Sequence, residues 1–256
     1  MPFTLAHPAA ILPLRGWRQL RTVPLVIGAL VPDLPYYLPA SLARFVLDSH
    51  DFRASFTECL LLGYALLAGV VLLRQPLTAL LPARARALCL AAVAPFTGRA
   101  VEWAWAAPAI VLGVWTHLLW DSFTHVDGWM VRRLALLRAP VDIGFWSGTV
   151  CHLLQYLSSV AGLAVLAIWY RRLPLPAAAR AGAGAGRSAA GPVMLLLAAA
   201  ALLIGSVQAT EYFDRTEFVY RTLGILLTRS LAWFALLYLI AGSIVTLDRA
   251  HERASS

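Results

Sequence analysis

Five apolar runs decide what this chain can fold into. Phe56 to Leu73 offers 18 residues with only Glu58 charged, Trp103 to Trp120 offers 18 in which His117 is the sole ionisable side chain, and Thr149 to Tyr170 offers 22 with only His152. Pro192 to Ala209 is apolar throughout, and Thr222 to Leu247 carries just Arg229 near one end. A helix needs about 20 mostly apolar residues to cross the hydrocarbon of a bilayer, and a backbone in hydrocarbon must satisfy its own hydrogen bonds, which favours helices. The expectation is therefore an all-α, polytopic integral membrane bundle of about five to six transmembrane helices. Composition agrees. Of 256 residues, 60% are hydrophobic and 13% charged, and the mean hydropathy is +0.72, values foreign to an ordinary soluble domain.

Shorter stretches leave more than one reading open. Ala87 to Gly98 is apolar for 12 residues and contains Pro95, which fits a half-helix, a re-entrant segment or the first part of a kinked span. Thr22 to Pro32 leads into the proline-rich Val31-Pro32-Asp33-Leu34-Pro35, a stretch expected to bend or stay extended. Leu173 to Gly191 is rich in Ala, Gly and Pro and reads as a flexible connector. The expected organisation is a helical membrane core carrying the candidate site over residues 1–172, a linker over 173–191, a C-terminal transmembrane pair over 192–247 and a polar tail over 248–256. The C-terminal pair has no His, Asp or Glu within its apolar spans, as a scaffold would.

The 21 basic residues are all arginine and lie scattered along the chain. A net charge of +8 in that arrangement points to membrane orientation before nucleic-acid binding. If residues 84 to 124 cross the bilayer once overall, the loops with Arg74, Arg84, Arg86, Arg171, Arg172, Arg180 and Arg187 share a side with the C-terminal tail. The positive-inside rule makes that side cytoplasmic. The histidine- and carboxylate-bearing ends then lie at the opposite, outer face of the membrane. Cys59, Cys89 and Cys151 are far apart without a CxxC spacing and read as buried small hydrophobes. The N-terminus lacks the cationic start and cleavage motif of a signal peptide, so it is expected to stay on the mature protein.

The candidate site begins with Thr116 to His125, "THLLWDSFTH". On a helix, His117 and Asp121 lie on one face about 6 Å apart along the axis and can grip one ion together. His125 lies about 12 Å from His117 along that axis. It reaches the same region only if the helix breaks near Ser122 to Thr124, and otherwise supports the site or serves a second ion. A lone HxxxD is equally an interfacial polar pair, but ionisable groups at membrane depth are costly and are usually functional or paired within the bundle.

Other candidates add weight. His7 precedes Pro8 at a helix start, and Asp33 is held between prolines. Asp48-Ser49-His50-Asp51 precedes the 56–73 run, with Glu58 one turn inside it. His152 opens the 149–170 run, and Gln155, Tyr156 and Ser159 continue its face. Each alone has a plain structural explanation, as a cap, a turn residue, a solvated charge or a satisfied core histidine. Five of the six histidines nevertheless precede the connector, at segment ends that can converge, with His251 the exception. Imidazoles and carboxylates without cysteine pairs suit zinc, manganese or iron(II) at an open catalytic site better than a closed structural zinc site. Six such ligands suffice for two ions, an arrangement that hydrolyses phosphoesters.

Read together, "MPFTLAHPAAILPL", "VIGALVPDLPYYL", "HLLWDSFTHVDGW" and "LLQYLSSVAGL" resemble the bacterial membrane-protein family catalogued as domain of unknown function 4184, over residues 1 to about 163. The pattern is more distantly similar to bacterial inner-membrane proteins described as metal-dependent hydrolases and to zinc-dependent phospholipases C. The phospholipase resemblance implies, by order along the chain, that His7, Asp33, His50, His117, Asp121 and His125 take the places of zinc ligands, with Asp121 touching two ions. This chain departs from that pattern twice. The phospholipases follow their last histidine by a glutamate one turn on, whereas His152 is followed by Gln155 and Tyr156. They also use a processed N-terminal amine, whereas this chain starts at Met1. One or two ions, not three, are expected.

The leading expectation is a membrane-bound metal-dependent hydrolase acting on a phosphoester or a lipid-linked ester. His7, Asp33, His50, His117 and Asp121 would hold a divalent metal, zinc before manganese or iron, with His125 and His152 supporting or serving a second metal. The partners would be membrane lipids and a lipid or phosphoester substrate, with no nucleic acid. Arg132 and Arg133 either receive an anionic head group or are ordinary interface arginines. The alternative is a non-enzymatic scaffold or small-solute carrier with a buried polar cluster, although a transporter more often shows repeated halves and no convincing repeat is present here.

Overall fold

A computed structural model describes residues 4–17, 19–43, 49–144, 146–176, 190–210 and 218–255. Asp48 and most of the expected connector, residues 177–189, lie outside the described residues. The chain opens with a 3-10 helix, Thr4–Gly16, holding Pro8 and Pro13. Two prolines five residues apart remove the donors an α-helix would need there. Helix α1, Thr22–Leu30, runs directly into a second 3-10 segment, Val31–Tyr37. The proline-rich stretch is thus neither bent away nor extended. The φ near −65° that proline imposes lies within the 3-10 range.

The next elements are α2 (Ala40–Ala43), a 3-10 turn (Arg53–Phe56), α3 (Glu58–Leu72), α4 (Arg74–Ala79), α5 (Ala83–Val93) and a 3-10 turn (Ala94–Thr97). They are followed by α6 (Ala100–Thr124), α7 (Trp129–Arg133) and a 3-10 turn (Ala135–Arg138). Strands β1 (Pro140–Asp142) and β2 (Ser147–Thr149) form a small antiparallel hairpin with Val141 opposite Gly148. Then come α8 (Val150–Arg172), α9 (Ala190–Thr210) and α10 (Phe218–Ser255). Among the described residues the fold is all-α apart from that hairpin.

Among the described residues, four stretches are long and apolar enough to cross a membrane: Ala100–Arg133, Val150–Arg172, Gly191–Thr210 and Gly224–Ser255. The run expected from Phe56 is helical only over the 15 residues of α3. At 1.5 Å per residue that is about 22 Å, short of the roughly 30 Å of hydrocarbon. Ala87 to Gly98 becomes the second half of α5 and a 3-10 turn through Pro95. Gly98 ends it, and α6 starts afresh at Ala100.

The chain clusters into two compact units. The first comprises residues 1–35, 44–67 and 99–173, and the second comprises 36–43, 68–98 and 174–256. The core expected over 1–172 therefore yields residues 36–43 and 68–98 to the unit of the C-terminal pair. Cys59 and Cys151 are buried as expected, whereas Cys89 is exposed. Cys89 lies on α5, where Ala83 to Ala92 carries no fully buried side chain.

In the first unit α1 and α6 touch backbone to backbone. A Cβ on Gly28 would lie 2.1 Å from the Ile110 carbonyl oxygen, and one on Gly113 would lie 2.3 Å from that of Leu25. Such small residues let helices approach closely where the hydrophobic effect gives no drive between them. Ile11, Leu25, Ala29 and Ala109 form the buried core around this crossing. Gly162 of α8 meets Ala6 of the N-terminal 3-10 helix in the same way, at 3.1 Å. Arg21 clamps Glu102 with a two-pronged hydrogen bond of 2.6 and 2.5 Å, tying the start of α1 to the start of α6.

In the second unit α9 and α10 meet at Gly205 and Ser230, and Trp233 donates to the Gln208 amide oxygen at 3.2 Å. Gly242 of α10 presses on the Pro76 carbonyl of α4, and the Tyr238 hydroxyl donates to the Leu77 carbonyl at 2.9 Å.

Candidate metal centre

The α1–α6 crossing builds the site. Gly113 is one turn before His117, so the crossing sets His117 against the end of α1. There His117 Nδ1 lies 2.9 Å from the Ala29 carbonyl oxygen. A carbonyl only accepts, so Nδ1 carries the proton and Nε2 keeps its lone pair, the tautomer of a metal-ligating histidine oriented by its neighbour. Nε2 faces Asp121 Oδ2 at 3.1 Å and Asp33 Oδ1 at 3.7 Å.

Asp33 is buried on the 3-10 segment that continues α1, and its Oδ2 accepts the Thr4 hydroxyl at 2.6 Å. His50 arrives from the loop before α3. Ser49 pins that loop by donating to the Pro32 carbonyl at 2.7 Å, with its oxygen 3.3 Å from His50 Nδ1. The Ser49 proton is committed to Pro32, so His50 Nδ1 is the donor in the second contact. His50 Nε2 then lies 3.4 Å from Asp33 Oδ1 and 3.6 Å from Asp121 Oδ2.

Asp121 has a second side. Its Oδ1 lies 3.3 Å from His7 Nε2 and 3.4 Å from His125 Nδ1. His125 reaches it because α6 ends at Thr124, and residue 125 turns to extended backbone, φ −107° and ψ 141°. The His7 ring stands edge-on to that of His117, with centroids 3.9 Å apart. One carboxylate is thus shared by two donor sets: Asp33, His50 and His117 on one oxygen, His7 and His125 on the other.

The donor set fits a cation. Four donor atoms, one each from Asp33, His50, His117 and Asp121, lie within 4.8 Å of one another. Ligands around a tetrahedral zinc bound at about 2.1 Å would stand about 3.4 Å apart, and the nearest pairs here span 3.1–3.7 Å. His117 Nε2, both Asp121 oxygens, both His7 ring nitrogens and His125 Nδ1 are buried without a hydrogen-bond partner among the described residues. Buried polar atoms are rarely left so. Imidazole lone pairs aimed at carboxylate oxygens repel, and a positive ion between them turns the repulsion into attraction. Burial and the neighbouring His117 ring push the His7 imidazole down to about 4 against the pull of Asp121 and Asp33, which keeps it neutral. Burial pushes the Asp33 carboxyl up, while the Thr4 hydroxyl, donating to Oδ2, pulls it down and favours the ionised form. Neutral imidazole and ionised carboxylate are the forms that bind metal.

His50 is 36% exposed and His125 29%, against 1% for His7 and 0% for His117. The cluster is reached from the side of His50 and His125. His152 lies instead beside Thr149, its Nδ1 3.1 Å from the hydroxyl oxygen. Arg132 donates to the Asp127 carbonyl, and Arg133 stacks 4.0 Å over the Trp129 ring. Two supporting groups escaped the sequence reading: the Thr4 hydroxyl and the Ala29 carbonyl. Thr4 had a signal, since residues three apart eclipse on a 3-10 helix and Thr4 precedes His7 by three. A backbone carbonyl leaves none.

Comparison with known proteins gives one match. The profile of a family described as a domain of unknown function (DUF4184) matches residues 1–245. No curated protein and no solved structure matches the chain.

Proposed function

The chain belongs to the DUF4184 family, and because that membership assigns no activity, we propose from the chemistry of the site that it is a membrane-bound, metal-dependent phosphoester hydrolase. One observation carries the reading: His7, His117 and His125 aim buried ring nitrogens that have no hydrogen-bond partner among the described residues at the two oxygens of Asp121, and His50 and Asp33 close the same cluster. Nitrogen and oxygen donors without sulfur suit zinc, with manganese or iron(II) as the other candidates. Asp33, His50, His117 and Asp121 hold one ion, while His7, His125 and the other Asp121 oxygen hold a second. Such a pair activates water and neutralises the charge of a phosphoryl group.

The chain's own residues do the rest. Ala29 and Ser49 fix the ring orientations of His117 and His50, and Thr4 holds Asp33 so that one oxygen faces the ions. The buried side of the cluster excludes bulk water, which strengthens the pull on an anionic substrate. The substrate enters past His50 and His125. In a bacterial plasma membrane, with residues 84–124 crossing once, this side faces outward and the C-terminal tail, on the side of the arginine-bearing loops, is cytoplasmic.

The test is to purify the protein without a histidine tag, measure bound metal by mass spectrometry, and assay hydrolysis of bis(p-nitrophenyl) phosphate and of phospholipids before and after chelation. Divalent metal together with turnover that is lost on chelation and restored by zinc is expected. Absence of metal, or metal with no turnover of any phosphoester, overturns the hydrolase.

A further inference from the structure

Beside the metal centre, on the neighbouring face of α6, lies an apolar groove of about 380 Å³, walled by Leu119, Trp120 and Phe123 of α6, Leu154 and Ser158 of α8, and Ala10 of the N-terminal 3-10 helix. Trp120 and Ala10 join the groove to the site. Trp120 precedes Asp121, its ring is 6.4 Å from that of His7, and Ala10 is one 3-10 turn beyond His7.

The hydroxyls in the wall are committed to the protein itself. Thr116 donates to the Gly113 carbonyl at 2.7 Å and Thr124 to that of Trp120 at 3.2 Å. Ser158 donates to the Gln155 carbonyl at 3.3 Å and receives the Trp120 indole N–H at 3.2 Å. What remains is a hydrocarbon surface with no use for water.

Both walls belong to helices long and apolar enough to span a membrane, so in a bilayer the groove would open sideways into acyl chains. Its mouth is marked by Leu119, 63% exposed, and Leu154, 37% exposed. It follows α6 from Thr116 to Thr124, about 12 Å along the axis, and ends where His125 turns to Asp121. The volume is near the lower end of the range for ligand pockets, roughly 300–1,000 Å³, which suits one chain and not a whole lipid.

We propose that this groove holds one acyl chain of a glycerophospholipid substrate, so that its phosphoester reaches the metal centre at the His125 end of α6. The inference rests on the hydrolase reading and adds the substrate class. Lipid tails are as apolar as the wall, so the groove gains little affinity from burial. It acts by position, setting where along the bilayer normal the phosphoester stands.

The test reconstitutes the full chain with phosphatidylglycerol carrying a photoactivatable acyl chain, and maps the labelled peptides. Labelling concentrated on Leu119–Phe123 and Leu154–Ser158 is expected. Leu154→Trp fills the groove and should remove that labelling and lower phospholipid turnover relative to bis(p-nitrophenyl) phosphate by roughly tenfold or more, since a substrate displaced by about 1 Å can lose 10²-fold. Leu157→Trp, on an exposed α8 position outside the groove, should change neither. Metal content of both variants checks that each has folded. Cleavage of the soluble diester with labelling no stronger in the groove than on other lipid-facing helices overturns this inference alone. Groove labelling without hydrolysis of any phosphoester overturns the hydrolase, and with it the assignment of the chain as substrate.

Discussion

Asp121→Ala is expected to empty both ion positions at once. Zinc titrated against a competing chelator should show affinity falling by more than about a hundredfold for each ion, because losing even a residue that merely orients a ligand costs about 10–100-fold. The reason is geometric: Oδ2 faces His50 and His117, while Oδ1 faces His7 and His125. Single-sided variants separate the two sets. His7→Ala or His125→Ala should lower bound metal from about two ions per chain to about one, and Asp33→Ala should strike the other ion first. If Asp121→Ala left one ion bound with unchanged affinity, the shared carboxylate would be refuted.

Gly113→Ala should damage the fold and the site together. The added Cβ would stand 2.3 Å from the Leu25 carbonyl oxygen and 2.8 Å from the Ala29 nitrogen. Both are backbone atoms, which cannot swing aside as a flexible side chain could, so α1 and α6 must separate. Overpacking of this kind typically costs 1–3 kcal/mol, and two rigid backbones place it at about 3 kcal/mol or more. Separation also pulls the Ala29 carbonyl from His117 Nδ1, so metal affinity should fall about 10–100-fold. Gly28→Ala, with Ile110 oxygen 2.1 Å away, should behave alike. Gly69→Ala is the control. Nothing lies within 4 Å of its added Cβ, and alanine favours a helix interior over glycine by about 1 kcal/mol. Thermal midpoints in detergent together with zinc affinity decide the matter. A Gly113→Ala protein with both unchanged would show that the crossing does not position His117.

The apolar runs announced the long helices because a span in hydrocarbon leaves its backbone one solution, and four of the five became helices long enough to cross. The fifth shows the limit of that logic: Phe56 to Leu73 has the composition of a span, yet the chain turns at Leu73 and leaves α3 at 15 residues. Run length constrains the longest helix possible, not where it ends.

The candidate ligands were visible as residue types, but their meeting was not. His117 and Asp121 share a helix face by periodicity alone. Asp33 joins them through a glycine crossing whose register depends on two distant residues, Gly28 and Gly113, and His125 joins through a helix end that no local pattern announces. His152, offered as a supporting ligand, contacts Thr149, and Arg132 and Arg133, offered as head-group binders or interface arginines, contact Asp127 and Trp129.

X-ray absorption at the edge of the bound metal, on untagged protein purified in detergent, probes the gathered donors most directly. The predicted result is a shell of nitrogen and oxygen at about 2.0–2.1 Å, the multiple-scattering signature of imidazole, and no sulfur. The imidazole signature should weaken in His117→Ala. A protein that carries no metal, or one whose metal is ringed by thiolate or is unchanged in His117→Ala, would contradict the account.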